Sequence, residues 1–202
     1  MPHVEVPDIP RSDGLRLPAE RTAVITVDMQ NDFVAEGGAL HVPSAASTVP
    51  VIRDVMDRAR QAGARVAYTQ DWHEQDDPEF RVWPRHAVRG SWGAEIVPEL
   101  TPKPQEPVMQ KPRYDGFYGT PLDHQLRVWG VHYVVVLGTV ANICVQHTAA
   151  SAALRWYDVA LVEDGVSALS DFDLHATLRQ LTFLYLGQVV RAADLRFEPR
   201  GT

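Results

Sequence analysis

The chain has 202 residues, and its hydrophobic content of 45% is enough to build the core of one domain spanning residues 1–202. Its formal net charge of -7 argues against nucleic acid or an anionic membrane as the main partner. No apolar run is long enough to span a bilayer, and residues 1–17 lack the pattern of a secretory signal. The single cysteine allows no disulfide within the chain, so these features together predict a cytoplasmic protein.

Strand-like and helical segments alternate from the start of the chain. Residues 1–20 are expected to form an extended lead-in, and the β-branched run at 22–28 is typical of a buried strand. Apolar residues at helical spacing predict a helix over 47–61, for which Gly63 is a natural stop. A second strand follows at 65–70.

The alternation continues in the second half of the chain. The predicted elements are a strand at 107–110, a helix at 121–129, a strand at 133–138, a helix at 142–157, a strand at 159–162, a helix capped by Ser170 and Asp173, and a last strand at Val189 and Val190. Strands that alternate with helices indicate an α/β fold, because parallel strands need crossover connections. We therefore expect three layers, with a doubly wound, mostly parallel six-stranded sheet and helices on both faces.

Four chemically capable side chains follow the predicted strands. Asp28 ends the first strand, Asp71 follows the second and Lys111 the third, while Cys144 lies in the first turn of the helix after the fourth. Ligands of such sheets bind beyond the carboxyl ends of the strands, so we expect these groups to meet. Each also has an ordinary alternative: a loop-capping carboxylate, a solvated lysine or a buried small residue.

The placement of Cys144 suggests a nucleophile. A helix N-terminus and a nearby Lys111 both add positive charge, which is expected to favour the thiolate. Asp28 is placed to accept the thiol proton and to deliver it later to a leaving amine. The pattern predicts a cysteine hydrolase.

A second cluster lies in the irregular segment DWHEQDDPEFRVWPRH at 71–86. Asp71, His73, Glu79 and His86 of this segment are potential metal ligands. Imidazole and carboxylate groups suit zinc, iron or manganese. The alternative is an acidic, solvated loop, against which the three aromatic residues of the segment argue.

These residues lie in motifs that resemble the isochorismatase-like cysteine hydrolases, and within them the nicotinamidases (pyrazinamidases). The similarity extends from residue 22 to about residue 162. It comprises five ordered motifs: VDMQNDF, DWH, WPRHAVRGSWGAEI, KPRYDGFYGT and GTVANICVQHTA.

The resemblance implies a catalytic triad of Asp28, Lys111 and Cys144. It also implies a cis peptide bond between Thr139 and Val140, which turns the N–H groups of Val140 and Cys144 into an oxyanion hole.

The resemblance further implies one divalent metal ion, zinc, iron or manganese, bound by Asp71, His73 and His86. Glu79 stands at the spacing that some relatives use for a fourth ligand, with Asp77 as the competing candidate. The substrate contacts that the resemblance implies are Phe33, Trp83, Tyr118 and Thr139.

The leading hypothesis is hydrolysis of nicotinamide to nicotinate and ammonia through a thioester on Cys144. Alternatives are an amidase for a ureido or carbamoyl substrate, such as a ureidoacrylate or N-carbamoyl amidohydrolase, an isochorismatase, and a non-catalytic binding protein. The expected partner is a small-molecule amide rather than nucleic acid or a membrane. The resemblance also implies a homo-oligomer, a dimer or tetramer, in which exposed aromatics such as Trp92 or Trp156 serve an interface.

Overall fold

The computed structural model describes residues 7–199, in which strands and helices alternate as the sequence predicts. The strands are β1 (Leu15–Pro18), β2 (Thr22–Val27), β3 (Arg65–Asp71), β4 (Val108–Lys111), β5 (Tyr133–Gly138), β6 (Asp158–Val166), β7 (Gln188–Val190) and β8 (Leu195–Glu198). The α-helices are α1 (Asn31–Val34), α2 (Ala45–Ala62), α3 (Leu122–Val128), α4 (Gln146–Leu154) and α5 (Asp171–Tyr185). Within residues 7–199, none of these helices has the length and apolar character needed to cross a membrane.

The central sheet has six parallel strands in the order β4-β3-β2-β5-β6-β7. The chain builds outwards from β2 in one direction and then from β5 in the other, so the topological switch point lies between these two strands. This arrangement confirms the predicted doubly wound α/β fold. It also fixes where a ligand is expected, at the carboxyl ends of β2 and β5.

Each face of the sheet carries its own apolar core. On one face α2 contributes Ile52, Val55 and Met56, which are fully or almost fully buried. Helices α3, α4 and α5 cover the other face, where Leu126 of α3 and Leu178 of α5 are buried to a similar extent. Helices therefore lie on both faces, as predicted, and hold the strand ends in fixed register.

The bounds of several elements differ from the sequence expectation; for example, the strand expected at 159–162 extends over Asp158–Val166. Residues 1–6 of the expected lead-in lie outside the described residues, and β1, instead of being only extended chain, pairs in parallel with β8 as a separate two-stranded sheet. The sequence pattern missed this pair because its partners are nearly the whole chain apart. The helix predicted over 142–157 begins with a π-helical turn, Ala141–Val145, and its α-helical part ends at Leu154. It stops there because Trp156 adopts a left-handed backbone with φ 66°.

Two predicted helix signals are confirmed. Gly63 ends α2 in the left-handed conformation, with φ 87°. Ser170 precedes α5, where its hydroxyl accepts a hydrogen bond from the N–H of Asp173 at 3.3 Å.

Gly138 lets the two strands at the switch point approach closely. It has φ 121°, and a Cβ atom added there would lie 2.2 Å from the carbonyl oxygen of Val27. No side-chain rotation can relieve this contact, because its partner is backbone. The residue directly precedes the segment that carries Cys144, so the packing of β5 on β2 also sets the position of the nucleophile.

We expect Gly138→Ala to lower the free energy of unfolding by about 3 kcal/mol, because β5 must move away from β2. The matched control is Gly130→Ala, since Gly130 also has a positive φ of 68° but has nothing within 4 Å of an added Cβ. It should cost about 1 kcal/mol. Urea denaturation followed by circular dichroism measures both values, and equal losses would contradict the close-contact explanation.

Candidate active site and metal centre

The four side chains predicted to meet at the sheet edge do so. Asp28 follows β2, Asp71 ends β3, Lys111 ends β4 and Cys144 lies in the turn after β5. All four are buried, and Asp28, Asp71 and Cys144 each offer an atom within 4.8 Å of the other two. The parallel sheet brings them together because these strands end at the same edge.

Lys111 is the centre of this group. Its side chain is fully buried, and its Nζ lies 2.7 Å from Asp28 Oδ2 and in direct contact with Asp71 Oδ1. The same Nζ lies 3.7 Å from the Sγ of Cys144. Burial alone would lower the pKa of Lys111, but the charges of Asp28 and Asp71 raise this pKa well above its ordinary value. Lys111 therefore stays an ammonium ion.

The thiol of Cys144 is less acidic than the sequence suggests. Burial raises its pKa well above the ordinary value, and the positive charge of Lys111 offsets this only in part. The carboxylates of Asp28 and Asp71 raise the thiol pKa further. Lys111 does lower the thiol pKa, as expected, but burial and the two carboxylates raise this pKa by more than one ammonium offsets. The thiol must lose its proton to a neighbouring base when it reacts.

Asp28 is the base in contact with this group. Its backbone is left-handed, with φ 50°, which is uncommon outside glycine and typical of functional sites. Its Oδ1 accepts a hydrogen bond of 2.6 Å from the hydroxyl of Thr69. Burial raises the pKa of Asp28 despite the opposing charge of Lys111, so the carboxyl group is suited to take up a proton and return it.

The turn that carries Cys144 presents backbone donors. The peptide bond between Thr139 and Val140 is cis, as the resemblance implies. The following turn is π-helical, and its hydrogen bond joins the N–H of Val145 to the carbonyl of Val140 at 3.2 Å. The N–H of Val140 has no hydrogen-bond acceptor among residues 7–199, so it is free to bind a substrate oxygen.

Asp71, His73 and His86 form the core of the predicted metal site. One ligand atom from each lies within 4.8 Å of the others, and all three residues are buried. His73 Nε2 lies 3.6 Å and His86 Nε2 lies 3.8 Å from Asp71 Oδ2. The Nδ1 of His73 lies 3.1 Å from Asp77 Oδ2, and that of His86 lies 2.7 Å from the carbonyl of Pro84. With Nδ1 held by these acceptors, each ring has its Nε2 on the side that faces Asp71.

Glu79 and Asp77, the two candidates for a fourth ligand, differ in their contacts. Both carboxylate oxygens of Glu79 are buried and have no hydrogen-bond partner in the described chain. Asp77 is already engaged: its Oδ1 accepts the N–H of Glu79 at 2.9 Å and its Oδ2 contacts His73. Arg113 adds an ion pair to Asp77 at 3.1 Å and a longer one to Glu79 Oε2 at 3.6 Å. Glu79 is thus the better fit to a bound cation, and Asp77 is better suited to orient His73.

Two further buried side chains position this edge. Gln30 accepts the N–H of Asp71 at 2.8 Å and donates to the carbonyl of Asp71 at 2.9 Å, which clamps the backbone of that residue. Asp32 accepts the N–H groups of Ala39 at 3.0 Å and Ala87 at 2.7 Å, so it ties the residue after His86 to a distant loop. Both lie in VDMQNDF, but helical or strand spacing gave no sign of which loops they join.

A cavity of about 290 Å³ opens in front of the Sγ of Cys144. Its lining residues are Phe33, Ala39, Leu40, His41, Val42, Asp71, Glu79, Trp83, His86, Tyr114, Val140, Ile143, Cys144 and Leu169. Most of the wall is therefore apolar or aromatic, with the predicted metal ligands at one end. Asp28 and Lys111 do not line the cavity, because they lie behind the thiol.

Two of the four predicted substrate contacts face this cavity. Phe33 and Trp83 line it, whereas Tyr118 is 60% exposed and lies outside the lining. Tyr118 is held in a turn, in which its N–H donates to the carbonyl of Asp115, so the tyrosine of this segment that reaches the cavity is Tyr114. Thr139 is also absent from the lining, since it is buried and its hydroxyl is bonded to Ser167 at 2.7 Å.

Comparisons with known proteins agree with this fold. The Isochorismatase domain model matches residues 22–194. A ureidoacrylate amidohydrolase of Cronobacter sakazakii is 31% identical over 180 residues, which cover 76% of this chain and 78% of that relative. The crystal structure of N-carbamoylsarcosine amidase from Thermoplasma acidophilum is 41% identical, with a TM-score of 0.79 over 85% of this chain and 96% of that chain. Pyrazinamidase of Pyrococcus horikoshii, in complex with zinc, is 31% identical, with a TM-score of 0.79 over 85% and 99%.

We expect Asp77→Ala to weaken zinc binding by about 10–100-fold, because His73 loses the acceptor that orients its ring. The matched control is Glu74→Ala, which removes an exposed carboxylate of the same loop whose partner is Arg89. Competition with a chromophoric chelator measures both affinities. Equal affinities for the two variants would contradict an orienting role for Asp77.

Proposed function

Because the chain belongs to the isochorismatase family and is an amidohydrolase, we propose that it releases ammonia from a small amide through a thioester on Cys144. The observation that carries this proposal is the contact of one buried ammonium, Lys111, with both Asp28 and the Cys144 thiol behind an open cavity. A purely structural lysine would not need a thiol and a cavity beside its ion pair. The isochorismatase and non-catalytic alternatives gain no such support.

The first half of the reaction forms the thioester. The thiol proton passes to the Asp28 carboxylate while Sγ attacks the amide carbon, and Lys111 balances the charge that moves between them. The negative oxygen of the tetrahedral adduct is placed to accept hydrogen bonds from the N–H groups of Val140 and Cys144. Asp28 then returns the proton to the departing nitrogen, which leaves as ammonia.

The second half regenerates the thiol. Water enters the position that ammonia vacates and gives a proton to Asp28 as its oxygen attacks the thioester carbonyl. The carbon–sulfur bond breaks, the acid is released and the proton returns from Asp28 to sulfur. The raised pKa of Asp28 suits a group that must accept and donate one proton twice in each cycle.

The residues beside the thiol fit a divalent metal ion. The buried Nε2 of His73 and both oxygens of Glu79 have no hydrogen-bond partner in the described chain, and such groups are costly to bury unless a ligand satisfies them. Their charged neighbours, Asp71 for His73 and Arg113 for Glu79 Oε2, each lie 3.6 Å away. We propose Asp71, His73, Glu79 and His86 as the ligands. When bound, the ion supplies a Lewis acid that can hold a nitrogen or oxygen of the substrate.

We propose a ureido or carbamoyl compound as the substrate class. The ureidoacrylate and N-carbamoylsarcosine enzymes named above support this choice, since their identities to this chain are 31% and 41%. In such a substrate the attacked carbon carries a terminal amide nitrogen, which leaves as ammonia. The product is then a carbamate, which loses carbon dioxide to give an amine.

The cavity wall favours a second candidate, nicotinamide. Phe33, Trp83 and Tyr114 offer aromatic surfaces to a flat ring, and no lysine or arginine lines the described cavity to pair with a substrate carboxylate. The zinc-bound pyrazinamidase structure also supports this candidate. The substrates of the two candidate functions differ in charge, so activity measured across one panel of substrates separates the two functions.

We expect Cys144→Ala to reduce turnover by about a thousandfold or more, because the attacking atom is lost. Since Cys144 is the one cysteine of the chain, acid-quenched wild-type enzyme should show the acyl mass of the substrate at this residue by mass spectrometry. Glu74→Ala serves as the variant that keeps both signals. Substantial turnover by Cys144→Ala would rule out the thioester route.

We expect ammonia release from N-carbamoyl amino acids or ureidoacrylate to exceed that from nicotinamide and pyrazinamide by at least about tenfold in kcat/KM. The panel is run on metal-loaded enzyme, and on enzyme treated with chelator and then given metal back. The opposite ranking would establish the nicotinamidase alternative. Full activity after chelation, with no metal in the protein, would contradict the proposed metal site.

A further inference from the structure

One buried serine, Ser167, holds the turn that carries the nucleophile. It is 1% exposed and directly follows β6, the neighbour of β5 in the sheet. Its N–H donates to the carbonyl of Gly138 at 3.0 Å, and its carbonyl accepts the N–H of Ala141 at 2.8 Å. Its hydroxyl donates to the hydroxyl of Thr139 at 2.7 Å. All three polar groups of this serine therefore bind the segment 138–141, which leads into the nucleophile turn.

These bonds lie on both sides of Val140, whose N–H has no acceptor in the described part of the chain. The carbonyl of Val140 accepts the N–H groups of Ile143 and Val145 at 3.1 and 3.2 Å, and the N–H of Thr139 donates to the carbonyl of Val27 at 3.0 Å. The neighbouring polar groups are thus satisfied within the protein, while this one N–H stays available. Its direction depends on the bonds that hold the residues before and after it.

Ser167 is itself held from both directions, so it can act as a fixed point. Before it, β6 ends at Val166, which pairs with Gly138 in the sheet. After it, the carbonyl of Ala168 accepts the hydroxyl of Ser44 at 3.0 Å, and the N–H of Ala168 donates to the same hydroxyl at 3.3 Å. Ser44 directly precedes α2, which packs on the sheet. The serine is therefore anchored to the core of the domain.

Only the hydroxyl bond of Ser167 depends on the type of residue. Any residue other than proline offers the same N–H and carbonyl, whereas alanine would leave the Thr139 hydroxyl without its donor. Both residues are 1% exposed, so bulk water does not compete for this bond. The ordinary alternative is a buried serine that only satisfies its own hydroxyl. That alternative predicts a loss of stability with no selective effect on the reaction.

We propose that Ser167 is a positioning residue for the reaction, which directs the N–H of Val140 at the negative oxygen of the tetrahedral adduct. This inference rests on the proposed thioester chemistry. Ser167 does not line the described cavity, so it acts through the segment 138–141 and not by contact with the substrate. Loss of a whole oxyanion donor typically costs about 10²–10³-fold in kcat. A donor that is only misplaced should cost less, about 10–100-fold.

Two reactions of the Cys144 thiol distinguish this role from a structural one. p-Nitrophenyl acetate acylates the thiol through a tetrahedral adduct with a negative oxygen: a sulfur–carbon bond forms, and the bond to p-nitrophenolate then breaks. Iodoacetamide alkylates the same thiol by direct displacement of iodide, without such an oxygen. Both reactions need the thiol to lose its proton, so a change in its pKa alters both rates. A misplaced Val140 N–H slows only the acylation.

We expect Ser167→Ala to slow acylation at least about tenfold, while alkylation stays within about twofold of the wild type. With the best amide of the substrate panel, kcat should fall by a similar factor and KM should stay nearly unchanged. p-Nitrophenolate absorbance, corrected for the background of Cys144→Ala, measures acylation, and mass spectrometry of the single cysteine measures alkylation.

The matched control is Thr22→Val, which removes a fully buried hydroxyl that donates to the carbonyl of Pro18 at 2.8 Å. Thr22 begins β2, at the opposite end of the strand from Asp28, so this variant should leave both rates unchanged.

Thr139→Val removes the other hydroxyl of the same bond and should cause the same selective loss. The double variant should be no slower than either single one, because both changes break one interaction. If circular dichroism shows that Ser167→Ala does not fold, Thr139→Val decides. Equal slowing of both reactions, or acylation within about twofold of the wild type in a folded variant, would overturn the proposal. If Cys144→Ala releases p-nitrophenolate as fast as the wild type, the thioester route itself is overturned, and this inference with it.

Discussion

The buried ammonium of Lys111 is the interaction on which the site depends. It faces two carboxylates, Asp28 and Asp71, and a thiol in a region without exposed surface, where an unpaired charge would be very costly. One cation does not fully balance two anions. The thiol pKa therefore stays high, and a further positive charge is favoured nearby. The Lys111 cluster and the proposed metal ligands form one electrostatic unit, because Asp71 contacts Lys111 and is also one of the proposed ligands.

The residues that hold the proposed metal ligands in place are as well defined as the ligands themselves. Each histidine has its Nδ1 fixed by an acceptor, Asp77 or the carbonyl of Pro84, which leaves both Nε2 atoms directed at Asp71. Gln30 holds the backbone of Asp71 at both polar groups. Such an arrangement pre-orients the ligands before any ion arrives, so the cost of binding is lowered.

Family membership and substrate choice rest on different parts of the molecule. The reacting groups follow the strands of a rigid sheet, whereas the cavity wall comes from loops: the segment around Leu40 and His41, the segment around Trp83, and Leu169. The relatives share the scaffold at 31–41% identity but act on different amides by name. Loop side chains can change without disturbing the strand ends, which is why the scaffold constrains the reaction more tightly than the substrate.

The sequence alone was sufficient to predict the sheet, because strand periodicity is a local pattern. It was also sufficient to predict that four side chains lie close together, because parallel strands end at one edge of the sheet. These side chains are Asp28, Asp71, Lys111 and Cys144. It could not separate Glu79 from Asp77 or Tyr114 from Tyr118, since neighbours in one loop differ only in the direction their side chains take. It could not give the balance of effects on the thiol pKa, which depends on how many charges share the buried surroundings of Cys144. Tertiary structure alone decided that β1 pairs with β8, that Leu169 lines the cavity and that Trp156 is exposed. Each of these depends on whether residues far apart in the sequence come into contact, and no local pattern relates such residues.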